Sequence, residues 1–310
     1  MSVDTGLLDR MTDAERARLA SRLLAETAGS QPEPPQLVRL AHGTASPWFC
    51  IHPVSGDVTS YAALCLAIDW SRGMLAVQAQ GLDGRAAPRD SLADMAEHYA
   101  LQIAAAQPEG RLLLGGWSMG GLVAYETALA LARLGRVVDG LVLIDSALPG
   151  AARDFTMTSR ELLALFVRDL WGRHGLDGES VLADLTVDAQ PDALAALCTR
   201  ARQHGVIHGA AEERQLRYLY AACLAHYRAM ATHEATGSYP GAVLLLQAAE
   251  PGADRNAAAL ARWTAFCTGP ITVHQLPGDH HSLLRQPHVR LLGERLADWD
   301  RQRNRHSSST

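Results

Sequence analysis

The stretch RLLLGGWSMGGLVAY, residues 111–125, decides how every other segment of the 310-residue chain is placed. Leu112, Leu113 and Leu114 read as a short buried strand, and Leu122, Val123 and Ala124 open an apolar helix after a glycine-lined turn. Within that turn Gly116-Trp117-Ser118-Met119-Gly120 fits G-x-S-x-G, the nucleophile elbow, in which a strained strand-to-helix turn lifts a serine hydroxyl above a sheet. The glycines are steric requirements, because side chains at 116 or 120 would collide across so tight a turn. A helix that starts directly behind Ser118 also points unpaired backbone N–H groups at negative charge developing beside that oxygen.

Outward from the elbow the chain alternates. Upstream, WFCI at residues 48–51 and MLAVQAQ at residues 74–80 read as strands, and residues 91–106 as a helix with Leu92, Met95, Ala96, Tyr99 and Ile103 on one face. Downstream, the elbow helix ends near Leu134-Gly135, and LVLI at residues 141–144 is the next buried strand, with Asp145 at its carboxyl end. Strands return at residues 242–246 and 271–275, followed by LPGDHHS at 276–282 and an amphipathic helix over 288–299. Strand and helix in succession, joined by right-handed crossovers, predict an α/β fold with a mostly parallel sheet and helices on both faces. Between residues 158 and 235 the alternation stops, and residues 162–171, 193–203 and 212–231 read as three helices. An all-helical interruption of about residues 156–236 is most simply a lid over the active edge of the sheet.

The ends of the chain have a different character. Thr12-Asp13-Ala14-Glu15 has a capping-box pattern, and Leu19, Ala20, Leu23, Leu24 and Thr27 follow along one helical stripe. The proline-rich GSQPEPPQ, residues 29–36, then forms a stiff linker. The expected division is residues 1–36 as helix and linker, 37–300 as one domain, and 301–310 as a polar, disordered tail. The N-terminal helix reads either as a piece packed on the domain or as a docking helix for another protein.

Composition removes several function classes. With 48% apolar and 20% charged residues the chain is an ordinary globular one, and a net charge of −5 offers nothing to nucleic acid or an anionic membrane. No apolar run approaches the roughly 18 residues of a membrane span, and MSVDTGLLDR lacks the order of a secretory signal, so a cytoplasmic enzyme is expected. The five cysteines are scattered among apolar neighbours without a C-x-x-C pair, which argues against zinc. All 28 basic residues are arginine, which excludes a P-loop lysine, a Schiff base and a lysine general base. No cofactor or metal is expected.

Ser118, Asp145 and His280 come in the chain order nucleophile, acid, base, each just past an expected strand. That order belongs to the α/β-hydrolase fold, whose topology gathers these strand ends. The loop His52-Pro53-Val54-Ser55-Gly56 lies where that fold supplies an oxyanion-hole N–H, for which Val54 is the candidate; a plain Pro-Gly turn is the alternative. Asp145 could also be only a turn former or helix cap, and His281 is the runner-up to His280.

These residues resemble the thioesterase domains that end nonribosomal peptide and polyketide synthetases. The similarity covers about residues 37–300 and is carried by FCIHPVSGDVTSY, AVQAQGLDG, LLLGGWSMGGLVAYE, LVLIDS and LPGDHHSLL. It implies Ser118 as nucleophile, Asp145 after the sixth strand as acid, His280 as base, and the N–H groups of Val54 and Met119 as oxyanion donors. In the free-standing editing thioesterases the acid more often follows the next strand, where only Glu250 or Asp254 is available, so Asp145 resembles the chain-terminating type. The implied substrate is an acyl or peptidyl chain on the phosphopantetheine of a carrier protein. No carrier motif precedes the domain, so that partner is expected in trans, unless this chain is a piece excised from a longer protein. Release by hydrolysis and by cyclisation both stay open. The rival readings are an editing thioesterase, a small-ester serine hydrolase, or a non-catalytic hydrolase-fold binding protein.

Overall fold

The computed structural model describes residues 36–68, 70–148, 158–173, 190–250 and 252–307. In chain order the elements are β1 (Leu37–Ala41), β2 (Ala45–Ile51), α1 (Ala62–Ala67), β3 (Arg72–Val77), α2 (Leu92–Ala106), β4 (Leu112–Trp117), α3 (Met119–Arg133), β5 (Val138–Ile144), α4 (Ser159–Arg173), α5 (Gln190–Gln203), α6 (Ala210–Ala231), β6 (Ala242–Ala248), α7 (Ala253–Phe266), β7 (Ile271–Leu276) and α8 (His288–Ser307). The expected N-terminal helix and its linker lie outside the described residues, apart from Gln36.

All seven strands join one sheet in the order β1-β3-β2-β4-β5-β6-β7, with β1 antiparallel to β3 and every other pair parallel. Side chains alternate across a strand, so each central strand feeds two cores. On β4, Leu112 and Leu114 face one layer while Leu113 and Trp117 face the other; on β5, Leu141 and Leu143 oppose Val142 and Ile144. The first layer is closed by α2 and α3 through Tyr99, Ile103, Leu122, Val123 and Leu131. The second is closed by α1 and α8 through Leu64, Val289, Leu292 and Leu296. With both faces covered, the strands read as continuous apolar runs, as parallel strands do. Each such buried side chain contributes about 1.5–3 kcal/mol.

Three features differ from the sequence reading. β3 stops at Val77 instead of running to residue 80, since the Gln78 and Ala79 N–H groups turn to the Gln36 and Gly56 carbonyls of neighbouring loops. β1 went unread because LVRLA gives little alternation; it is held by its register against β3. The expected disordered tail is corrected over residues 301–307, where α8 continues. There Arg303 pairs with Asp139 and, at 2.8 Å, with Asp300, whose other oxygen accepts from Arg72 at 2.7 Å and from the Trp70 indole at 2.9 Å.

Among the described residues, α4, α5 and α6 belong to the insertion. Thr158 and Glu161 close a reciprocal capping box at its entry, and Phe166 of α4 meets Tyr220 of α6 edge to face at 5.2 Å. α6 lies over the carboxyl ends of β2 and β3: His226 reaches the Val54 carbonyl, and Tyr218 covers Gly84. Among the described residues no helix is long and apolar enough to cross a membrane.

Candidate active site

β4 runs straight into Ser118, which adopts φ 58°, ψ −127°, a backbone conformation uncommon for a residue with a side chain. The turn is held by the Ser118 N–H donating to the Ile144 carbonyl at 2.9 Å and by close packing of its glycines. A side-chain carbon at 116 would lie 2.4 Å from the Gly120 carbonyl carbon, and one at 120 would lie 2.3 Å from the Ile51 oxygen. The elbow therefore presses directly on the end of β2, where the His52–Gly56 loop begins.

Asp145 leaves β5 with φ 42° and is almost wholly buried. Its Oδ1 accepts the Ala248 N–H at 3.1 Å, and its Oδ2 accepts His280 Nδ1–H at 2.5 Å, with Arg255 of α7 at 3.4 Å. Burial alone would raise its carboxyl pKa. The hydrogen bond and charge of His280, with Arg255 and the Ala248 N–H, outweigh that and hold it below the usual carboxylate value. Asp145 follows β5, the strand directly after the elbow helix.

His280 is presented by a turn after β7. Gly278 takes φ 96° there, and the Asp279 carboxylate accepts the His281 and Ser282 N–H groups, both at 2.9 Å. With Nδ1 turned to Asp145, the other ring nitrogen, Nε2, faces Ser118 Oγ, 3.0 Å away. His281 turns instead toward the helical insertion, its Nδ1 lying 3.8 Å from Asp169 of α4. Glu250 and Asp254, the alternative acids, are placed otherwise. Glu250 walls a cleft of about 480 Å³ shared with Ala249, Gly252, Asp279, His280 and His281, and Asp254 lies in the first turn of α7.

The two oxyanion candidates stand on different elements. Met119 is the first residue of α3, so its N–H belongs to the unpaired first turn. Val54 is buried in the loop after β2. Chemically, a hydroxyl hydrogen-bonded to an imidazole that is oriented by a carboxylate can be deprotonated as it attacks a carbonyl.

Several contributing residues escaped the sequence reading. The Tyr61 hydroxyl donates to the Ile51 carbonyl at 2.6 Å and accepts the Trp117 N–H at 2.8 Å, tying the ends of β2 and β4 together. His52, Tyr99 and His226 cluster beneath Val54. The whole of α7 went unread, yet it supplies Arg255, and Trp263 donates to the Ser146 carbonyl at 2.9 Å. Only Gly252 followed by an alanine-rich run pointed to it.

The sheet, the elbow and the order of Ser118, Asp145 and His280 define the α/β-hydrolase fold. The chain belongs to the thioesterase domain family, whose model matches residues 46–298. It is 26% identical over 265 residues to microperfuranone synthase of Emericella nidulans, covering 80% of this chain and 27% of that protein. A dimodular nonribosomal peptide synthase of Bacillus subtilis is 37% identical over 131 residues, 42% of this chain and 5% of that protein. The chain thus spans well under a third of the length of these curated relatives. Among solved structures, a holo four-domain nonribosomal peptide synthetase bound to AMP and glycine aligns with TM-score 0.74 at 24% identity, over 90% of this chain and 21% of the other. The wild-type Vlm2 thioesterase domain aligns at 0.64 and 23%, over 84% and 95%. These structural matches bear on the fold.

Proposed function

We propose that this thioesterase domain releases an acyl or peptidyl chain from the phosphopantetheine thiol of a carrier protein, through an acyl-serine at Ser118. The observation that carries the reading is the relay Ser118 Oγ, His280 Nε2, His280 Nδ1, Asp145 Oδ2, with contacts of 3.0 and 2.5 Å, within a thioesterase-family chain. Ser118 Oγ attacks the thioester carbonyl while its proton passes to His280 Nε2. The tetrahedral oxyanion is held by the Val54 and Met119 N–H groups, at roughly 3–4 kcal/mol per donor. Collapse breaks the C–S bond, and His280 returns the proton to the departing thiolate. Water, or a hydroxyl or amine of the same chain, then gives its proton to His280 and attacks the acyl-serine, which frees product and restores the hydroxyl.

The relatives that bear on the substrate are synthases and synthetases, which supports a carrier-bound thioester over a small soluble ester. The test is intact-mass measurement after mixing the protein with an acyl group loaded on a separately made carrier protein. An acyl adduct that maps to Ser118, and is absent in Ser118→Ala, supports the reading. Turnover of simple esters with no reaction toward acyl-carrier or acyl-pantetheine would favour a small-ester hydrolase.

A further inference from the structure

Two buried histidines lie beneath Val54, and the proposed catalytic relay uses neither of them. His52 and His226 are 0% and 1% exposed, and their rings stack with centroids 4.9 Å apart and planes 23° apart. One belongs to the loop that contains Val54. The other belongs to α6, the long helix of the insertion, 172 residues further along the chain than Val54.

Their hydrogen bonds fix both peptide planes that meet at Val54. The Pro53 carbonyl accepts His52 Nδ1–H at 2.8 Å and the Gly56 N–H at 2.9 Å. A trans peptide points its C=O and N–H in opposite directions, so anchoring the Pro53 oxygen aims the Val54 N–H the other way. The next carbonyl, that of Val54 itself, accepts His226 Nδ1–H at 2.7 Å. With Nδ1 as donor, His52 Nε2 is left to accept the Tyr99 hydroxyl at 2.8 Å, which sets the ring's tautomer and rotation from α2. The fit is close: Gly56, at φ 84°, has room for no side chain, since a carbon there would sit 2.8 Å from Ala79 Cβ and 3.3 Å from His226 Cε1.

We infer that His226 is a positioning residue: by holding the carbonyl side of Val54 from α6 it fixes the loop conformation in which the Val54 N–H, on the neighbouring Pro53–Val54 peptide anchored by His52, is aimed as an oxyanion donor. This rests on the acyl-serine reading and adds a dependence to it: the hole on the Val54 side is complete only while α6 is seated. Lid placement and transition-state stabilisation are then one event, because a helix lifted from the loop takes the Val54 carbonyl's donor with it. A donor aimed in advance contributes to the transition state and little to ground-state binding.

The experiment compares His226→Asn, whose side-chain amide can imitate an Nδ1–H donor, with His226→Gln and His226→Leu, which cannot place a donor at that point. Steady-state turnover of acyl-pantetheine, the fluorophosphonate labelling rate and thermal unfolding are measured on the full chain. His226→Leu and His226→Gln are expected to lower kcat about 10- to 100-fold with KM within about twofold, while His226→Asn stays within about fivefold of wild type. Should His226→Leu fail to fold, the His226→Asn and His226→Gln comparison decides alone. Equal loss in Asn and Gln, or a change confined to KM, overturns the inference while leaving a normally labelled wild-type Ser118 untouched. No labelling of Ser118 in wild type removes the acyl-serine reading and this inference with it.

Discussion

Trp117 lies against His280, the ring centroids 4.8 Å apart and the planes 31° apart, and the indole N–H donates to the His280 carbonyl at 3.0 Å. The residue before the nucleophile thus holds the proposed base by its ring and by its backbone. Trp117→Phe keeps much of the packing and removes the hydrogen bond, whose net value is about 1 kcal/mol. The expected outcome is a several-fold fall in kcat at little changed KM, with a larger fall for Trp117→Ala, read by steady-state kinetics.

Asp145 and Glu250 make opposite predictions. Asp145→Asn places an amide against His280 Nδ1 and favours the wrong tautomer, so turnover should fall about 10⁴-fold while the protein stays folded. Glu250→Gln, on the cleft wall, should stay within a few-fold of wild type. Near-normal turnover in Asp145→Asn with loss in Glu250→Gln would move the acid to the other strand end.

Tyr61→Phe deletes one oxygen and strands two buried groups, the Ile51 carbonyl and the Trp117 N–H. Leaving such groups unpaired costs about 1–3 kcal/mol each. With two groups stranded, urea unfolding should show a loss of roughly 2–6 kcal/mol. Activity should fall as well, because the two strand ends that this hydroxyl joins carry the Val54 loop and the elbow.

The histidine pair makes the protein sensitive to mild acid. Burial first, then the neighbouring His52 charge, outweighs the hydrogen bond to Val54 and lowers the His226 pKa from 6.5 to about 3. Burial likewise outweighs the Pro53 hydrogen bond and the charge of Asp57 and lowers His52 to about 4. The unfolded chain takes up these protons near 6.5, so between about pH 4 and 6.5 the unfolded state binds more of them and stability rises with pH. It is fully present above about 6.5 and is lost as pH falls toward about 4 for His52 and about 3 for His226. Near pH 5 each ring contributes a slope approaching about 1.4 kcal/mol per pH unit. His98 and His274 are also lowered by burial but are more exposed, and the depressed carboxylates of Asp145, Asp279 and Asp300 act at lower pH. The diagnostic is therefore a difference: His226→Asn should flatten the urea-midpoint profile between pH 4.5 and 6.5 by about one ring's share.

The parts of the fold that could be read early are those whose signal is local. Apolar runs marked six of the seven strands, and the glycines at 116 and 120 are explained by contacts to Gly120 and Ile51 backbone atoms that a side chain would occupy. The capped helix expected over residues 7–28 lies outside the described residues. β1 and α7 were missed because their stabilising partners, β3 on one side and the Asp145 and Ser146 loop on the other, are distant in the chain. The same applies to the tail, where Asp139 turns an exposed-looking arginine into an anchor.

Sequence alone determined the α/β alternation, the helical insertion and the order Ser118, Asp145, His280, because strand periodicity and the strained elbow impose residue types at fixed spacings. Tertiary structure alone brought Asp145, and not Glu250, against His280, turned His281 toward Asp169, and set His226 of the lid beneath Val54. Adjacent residues such as His280 and His281 are equivalent as letters, and a histidine on a helix face is indistinguishable from core filling. Which atom meets which depends on the direction each strand end and helix takes in space, and that direction is settled by packing between segments more than 100 residues apart.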